Sequence, residues 1–199
     1  MTPPILILPG LHGSEEEHWQ SRWERLLPQA ERVEQDDWSN PSRTDWLLRL
    51  DRALERRPGA FLVAHSLGCA LVAHHAELTG GRGVAGALLV APADVERMGV
   101  KAPLSRFSPL PTQALPFASV LVASRDDPWM AFSRSRALAE RWGCRFVDAG
   151  HLGHINLASG IGPWADGLQH LTDLIDAVAR QSRVRAGEPQ SRQANKEIY

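Results

Sequence analysis

Short apolar runs and longer stretches with helical spacing alternate along this chain. Ile5 to Leu8 form an apolar run between Pro4 and the Pro9-Gly10 pair, and Phe61 to Ala64 form another after Pro58-Gly59. Further runs are "VAGALLVAPA" (84–93), "SVLVAS" (119–124) and "CRFVDA" (144–149), with Val33 marking a short second strand. Each is short, apolar and bounded by breakers, as a buried strand requires. Between them, Trp19, Trp23, Leu26 and Leu27 recur at helical intervals, as do Trp46, Leu47, Leu50 and Leu54. Ser14 followed by Glu17 reads as a capping box opening the first of these helices. Leu67 onward forms a third helix, broken at Gly80-Gly81 and Gly83, and residues 131–143 and 162–180 supply two more. Residues 99–117 hold four prolines without a clear period and read as an irregular surface excursion.

Strands apolar on both sides, joined by crossovers long enough for a helix, predict a parallel sheet covered on both faces. The expected architecture is α/β, a six-stranded parallel sheet in a three-layer αβα sandwich, occupying residues 1–182 as one domain. The polar tail 183–199 has too little apolar surface to pack and is expected to be disordered.

Composition narrows the partners. Of 199 residues, 43% are hydrophobic, and the formal net charge is −1, so no bulk field favours nucleic acid or acidic lipid. No apolar run approaches the roughly 18 residues of a membrane span. The N-terminus lacks a basic region followed by a small-residue cleavage site, and Cys69 and Cys144 read as small buried hydrophobes rather than a disulfide. A cytoplasmic location is expected, and no oligomeric state is assigned.

Ligands of open α/β sheets sit beyond the carboxyl ends of the strands. There the chain places Gly10-Leu11-His12-Gly13, then His65-Ser66, then Arg125-Asp126-Asp127-Pro128, and finally Gly150-His151-Leu152-Gly153-His154. Ser66 stands at the junction of a strand and a helix, where one side chain is exposed at the apex. A serine, a carboxylate and a histidine in that chain order are the parts of acyl transfer in α/β-hydrolases. The hydroxyl needs an imidazole to take its proton, and the imidazole needs a carboxylate to fix its tautomer. The developing oxyanion needs backbone N–H donors. Leu67, at the helix start, offers one; Leu11 offers the second, with His12 as its competitor. From the residues alone, Asp126 and Asp127 compete for the acid, and His151 and His154 for the base. The elbow reads A-H-S-L-G, so Ala64 stands where glycine is usual and Gly68 keeps the second small position.

The blocks "LPGLHGSEEEHWQSRWE", "VAHSLGCALVAH", "SRDDPW" and "GHINLASGIGPW" resemble the small bacterial serine hydrolases related to retinoblastoma-binding protein nine. The resemblance runs from Ile5 to about Val178. It implies a compact α/β-hydrolase fold lacking the first strands of the larger form, with Ser66 as nucleophile, Asp127 as acid and His154 as base. It also implies hydrolase or esterase activity without a cofactor.

Other residues carry two readings. His65 lines the pocket or makes a structural hydrogen bond, and His12 and His18 are pocket-edge or packing residues rather than ligands. Trp129 walls the pocket or simply packs; Trp19 and Trp23 pack a helix on the sheet. Asn156 and Ser159 order the loop beside His154. His74 and His75 lie far from the elbow, and the histidines show no metal-ligand spacing. The first turn lacks G-x-G-x-x-G and carries three glutamates, which rejects a dinucleotide fold. The excursion at 99–117 is too short for a lid domain, so the expected partner is a small acyl substrate. A non-catalytic interaction module on the same scaffold, and an amidase or peptidase using the same residues, are the alternatives.

Overall fold

Alternate residues of β1 (Ile5–Leu8) enter different cores, because successive side chains of a strand point to opposite faces. Leu6 and Leu8 join one apolar cluster, Ile5 and Ile7 the other. The same division continues along β3 (Ala60–His65), where Leu62 and Ala64 face one way and Phe61 and Val63 the other. A computed structural model describes residues 2–97, 99–100 and 102–187. The remaining strands are β2 (Ala30–Arg32), β4 (Val84–Val90), β5 (Ala118–Ala123) and β6 (Arg145–Asp148). They form one six-stranded sheet in the order β2-β1-β3-β4-β5-β6, parallel throughout.

Helices cover both faces. α1 (Trp19–Leu26) and α5 (Ala165–Gly187) contribute Trp19, Trp23, Leu171 and Leu174 to one core. On the other face lie α2 (Arg43–Arg56), α3 (Leu67–Thr79) and α4 (Phe132–Trp142), which supply Trp46, Leu50, Leu71, Leu138 and Trp142. α3 is buried from Leu67 to Ala76, which explains why its sequence is apolar nearly all round. After β1 the chain runs outward to β2, then returns across β1 to β3. Between β1 and β3 the strand order reverses, and the crevice that opens there is where such sheets hold ligands.

Several local expectations change. The capping box at Ser14 and Glu17 does not form. α1 starts five residues after Ser14, on His18, whose Nδ1 accepts the Gln20 N–H at 3.1 Å. Ser14 Oγ donates instead to Gln20 Oε1 at 2.7 Å, while Gln20 Nε2 donates to the Val63 carbonyl at 3.0 Å. Tying the strand ends together outweighs the local cap. Leu26 points to solvent. Val33 follows β2 rather than lying inside it, though its N–H donates to Ile7 O at 2.9 Å.

Residues 99–117 are not a surface excursion. They contain a 3-10 turn, Leu104–Phe107, and Leu104, Phe107 and Leu110 are buried in the α2–α3 core. Phe107 sits edge-on to Trp46, and its carbonyl accepts from His74 Nε2 at 2.8 Å. The last helix begins at Ala165, after Trp164, and continues to Gly187, past the expected end of order at 183. Residues 181–184 are exposed, so intrinsic helix propensity of Gln and Arg, propagating an existing helix, carries that last turn. The rest of the expected tail lies outside the described residues. None of the described helices is long and apolar enough to cross a membrane.

Candidate active site

The turn from β3 into α3 holds Ser66 at φ 55° and ψ −119°, a region non-glycine residues seldom adopt. Two glycines make the turn possible. A Cβ on Gly68 would stand 2.3 Å from the Leu8 carbonyl oxygen, and one on Gly10 would stand 2.8 Å from Ser66 Cβ. Ala64, where glycine is usual, is fully buried and places its methyl in the α3-side core without obstruction. The Ser66 hydroxyl makes no capping bond to α3.

It is engaged elsewhere. Ser66 Oγ lies 2.9 Å from His154 Nε2, and His154 Nδ1 lies 2.9 Å from both carboxylate oxygens of Asp127. Asp127 Oδ1 also accepts the Trp129 N–H at 2.8 Å, which fixes the carboxylate plane. Asp126 is turned away: its Oδ1 accepts from Ser124 Oγ at 2.7 Å and from the Gly153 N–H at 2.9 Å. Those two donors, the Ser124 hydroxyl first, hold its carboxyl below the usual range. His151 is exposed and takes no part.

The His154 loop is fastened from beneath. Trp19 Nε1 donates to Ile155 O and Trp23 Nε1 to Pro163 O, each at 2.8 Å. His65 Nε2 donates to His154 O at 2.9 Å while the same ring lines the cavity, so both readings of His65 hold. The two tryptophans do more than pack, a role that spacing along one helix does not reveal.

At the end of β1, the His12 N–H donates to Trp38 O at 2.8 Å and is committed there. The N–H groups of Leu11 and Leu67 have no acceptor among the described residues. A Cβ on Gly10 would lie 3.2 Å from Leu67 N, a measure of how closely the first turn approaches the elbow.

A cavity of about 240 Å³ opens over Ser66, with Leu11, His12, His18, His65, Trp129 and His154 in its wall. Trp129 is 40% exposed and forms one rim, with the Arg97 guanidinium 5.0 Å above its ring. Asn156 lines the cavity, whereas Ser159 orders the loop by donating to Leu152 O. His18 lines it too, at the pocket edge, as does Glu15, which the sequence offers only as one of three glutamates in the first turn. Among the described residues, no group of three or more His, Cys, Asp or Glu side chains could share a metal ion. Cys69 and Cys144 are free.

Burial shifts two of these imidazoles. It lowers His18 to about 4, helped by the charges of Arg32 and His154, and it holds His65 well below 6.5, helped by His154 and His18. In the unfolded chain both take a proton near pH 6.5. Between that value and the folded one, the unfolded state binds more protons, so stability is complete above pH 6.5 and falls as the solution is acidified. The expected loss from His18 alone is about 2 kcal/mol at pH 5, at about 1.4 kcal/mol per pH unit. Urea midpoints at pH 7.5 and pH 5 would measure it, and equal midpoints would refute the buried neutral histidines.

A parallel six-stranded sheet with the elbow at its crevice is the fold of the α/β hydrolases. A family model described as serine hydrolase matches residues 5–173, and the chain belongs to that family. A protein described as a YdeN-like hydrolase from Pectobacterium atrosepticum is 34% identical, with a TM-score of 0.80 over 89% of this chain and 92% of its own. The ydeN gene product of B. subtilis is 24% identical, with a TM-score of 0.71 over 88% of this chain and 100% of its own. Est1E from Butyrivibrio proteoclasticus, solved with ferulic acid bound, shares the fold at 13% identity and a TM-score of 0.65, over 88% and 90%. No curated protein matches the chain.

Proposed function

We propose that this hydrolase cleaves a small carboxylic ester, or a related acyl bond, through an acyl-enzyme on Ser66. The observation that carries the reading is the unbroken chain of 2.9 Å contacts from Ser66 Oγ through His154 to Asp127. In this reading His154 Nε2 takes the serine proton as Oγ attacks the acyl carbon, and returns it to the departing alkoxide. A water then gives its proton to the same nitrogen, attacks the acyl carbon and releases the acid, restoring Ser66. Asp127 stays ionised, holding the proton of Nδ1 and stabilising the imidazolium. The Leu11 and Leu67 N–H groups would receive the oxyanion, supported by their lack of other acceptors.

A cavity of about 240 Å³ supports a short acyl group rather than a long chain. The two free cysteines support a reducing, cytoplasmic setting. Neither nucleic acid nor membrane enters the reading. A fluorophosphonate probe tests it: the adduct is expected on the peptide containing Ser66, with p-nitrophenyl acetate and butyrate turned over faster than the decanoate. Folded protein that takes no label and hydrolyses no ester would leave the interaction-module reading instead. Turnover confined to aminoacyl anilides would make it an amidase.

A further inference from the structure

α1 begins on a ring with one nitrogen committed and the other open. His18 is 2% exposed, and its Nδ1 accepts the Gln20 N–H at 3.1 Å. A neutral imidazole whose Nδ1 accepts must carry its proton on Nε2. That Nε2–H meets no acceptor among the described residues. It is not sealed off either, since among the described residues the enclosed side-chain polar atoms without a partner are Gln35 Oε1 and Trp46 Nε1. His18 forms part of the wall of the cavity over Ser66, which gives an open nitrogen on this ring a space to donate into. The His18 ring lies 5.1 Å from that of His65, which lies 4.9 Å from that of His154. An open donor thus stands two rings from the proposed base.

Charge around the cavity narrows what this donor meets. Burial and the nearby Arg32 keep the ring neutral in ordinary buffers. Among the described residues the wall contains one carboxylate, Glu15, and neither lysine nor arginine, with Arg97 stacked on the Trp129 ring of the rim. A formal anion would find no counter-charge among the described wall residues, whereas an uncharged oxygen matches a single neutral N–H.

We propose that His18 is a specificity-determining residue whose Nε2–H donates to an uncharged oxygen in the acyl group, so that the preferred substrates are short esters with an ether, hydroxyl or keto oxygen beyond the scissile carboxyl. A methylene in the same place would cover the donor and leave it unpaired, which is how polar sites reject apolar analogues. This claim rests on the ester-hydrolase reading.

p-Nitrophenyl methoxyacetate and butyrate test it, because they differ only by oxygen in place of one methylene. Wild-type protein is expected to favour the methoxyacetate beyond the ratio of the two esters' rates with hydroxide. A preference at or below that ratio overturns the proposal without any variant. Two isosteres then locate the effect. His18→Asn keeps an acceptor near Nδ1, so it retains the helix cap and removes the donor. His18→Gln keeps a donor near Nε2 and loses the cap.

The methoxyacetate-to-butyrate ratio of kcat/KM, divided by that of wild type, is expected to fall about fivefold to tenfold in His18→Asn, the worth of one hydrogen bond. It should stay within about twofold in His18→Gln, whose urea midpoint should drop with the lost cap. A merely structural role would move both esters together and harm the Gln variant more. An unchanged ratio in His18→Asn overturns the proposal. Fluorophosphonate labelling of the same wild-type sample separates the two failures. Without a Ser66 adduct, both readings fall; with the adduct and an unchanged ratio, only the role of His18 falls.

Discussion

Asp127→Asn is expected to lower kcat on a p-nitrophenyl ester by roughly four orders of magnitude while the fold stays intact. Both oxygens of Asp127 lie 2.9 Å from His154 Nδ1, so the carboxylate demands a proton on that nitrogen and leaves Nε2 free to accept from Ser66. An amide can turn an N–H toward Nδ1 instead, which moves the ring proton to Nε2. A ring protonated there has nothing with which to take the serine proton. The control is Asp126→Asn. Asp126 ties Ser124 and Gly153 together and touches neither His154 nor Ser66, so its loss should cost less than about tenfold. Parallel kcat measurements decide between neighbours, and a larger loss at position 126 would transfer the acid's role there.

Gly68→Ala should be the costliest single methyl in the elbow. Its Cβ would stand 2.3 Å from the Leu8 carbonyl oxygen and 3.0 Å from that of Pro9. Neither atom is the end of a flexible side chain. Leu8 pairs with Ala64 in the middle of the sheet, so backing away means parting β1 from β3. The expected loss is about 3 kcal/mol, at the upper end for overpacking, read as a lowered urea midpoint. The Leu67 N–H moves with the displaced helix start, so ester turnover should fall further than the midpoint alone explains. A variant with unchanged midpoint and rate would show that the close approach of α3 to β1 is not needed.

The sheet was legible because period and length are local: Ile5 to Leu8, or Val120 to Ala123, are apolar whichever partner they meet. Ser66 was legible for the same reason, as a polar residue interrupting a strand and a helix. The choice between Asp126 and Asp127 needed the resemblance, since adjacent carboxylates differ only in which distant loop each faces. Gln20 escaped notice because its partners lie across the fold, and His18 could be read only as a pocket-edge or packing residue. Gln20 bonds Val63, and Ser14 bonds Gln20 instead of capping, so a local rule yielded to tertiary contacts. Phe107 was hidden by flanking prolines that suggested a loop, although burial against Trp46 draws that segment into the core. The indole bonds to Ile155 and Pro163 span separations of 136 and 140 residues, beyond any periodic signal.

Those indole anchors divide the cavity into a stiff half and a pliable half. The side built on Trp19, Trp23 and His65 is pinned to the backbone that carries His154, so few exchanges there could leave the contacts of His154 with Ser66 and Asp127 aligned. At the opposite rim the half-exposed Trp129 side chain leans on Arg97; its link to Asp127 runs through the backbone N–H, which another side chain there would keep. Diversification among relatives would thus concentrate on that rim, altering which acyl groups are admitted while the machinery beneath stays put.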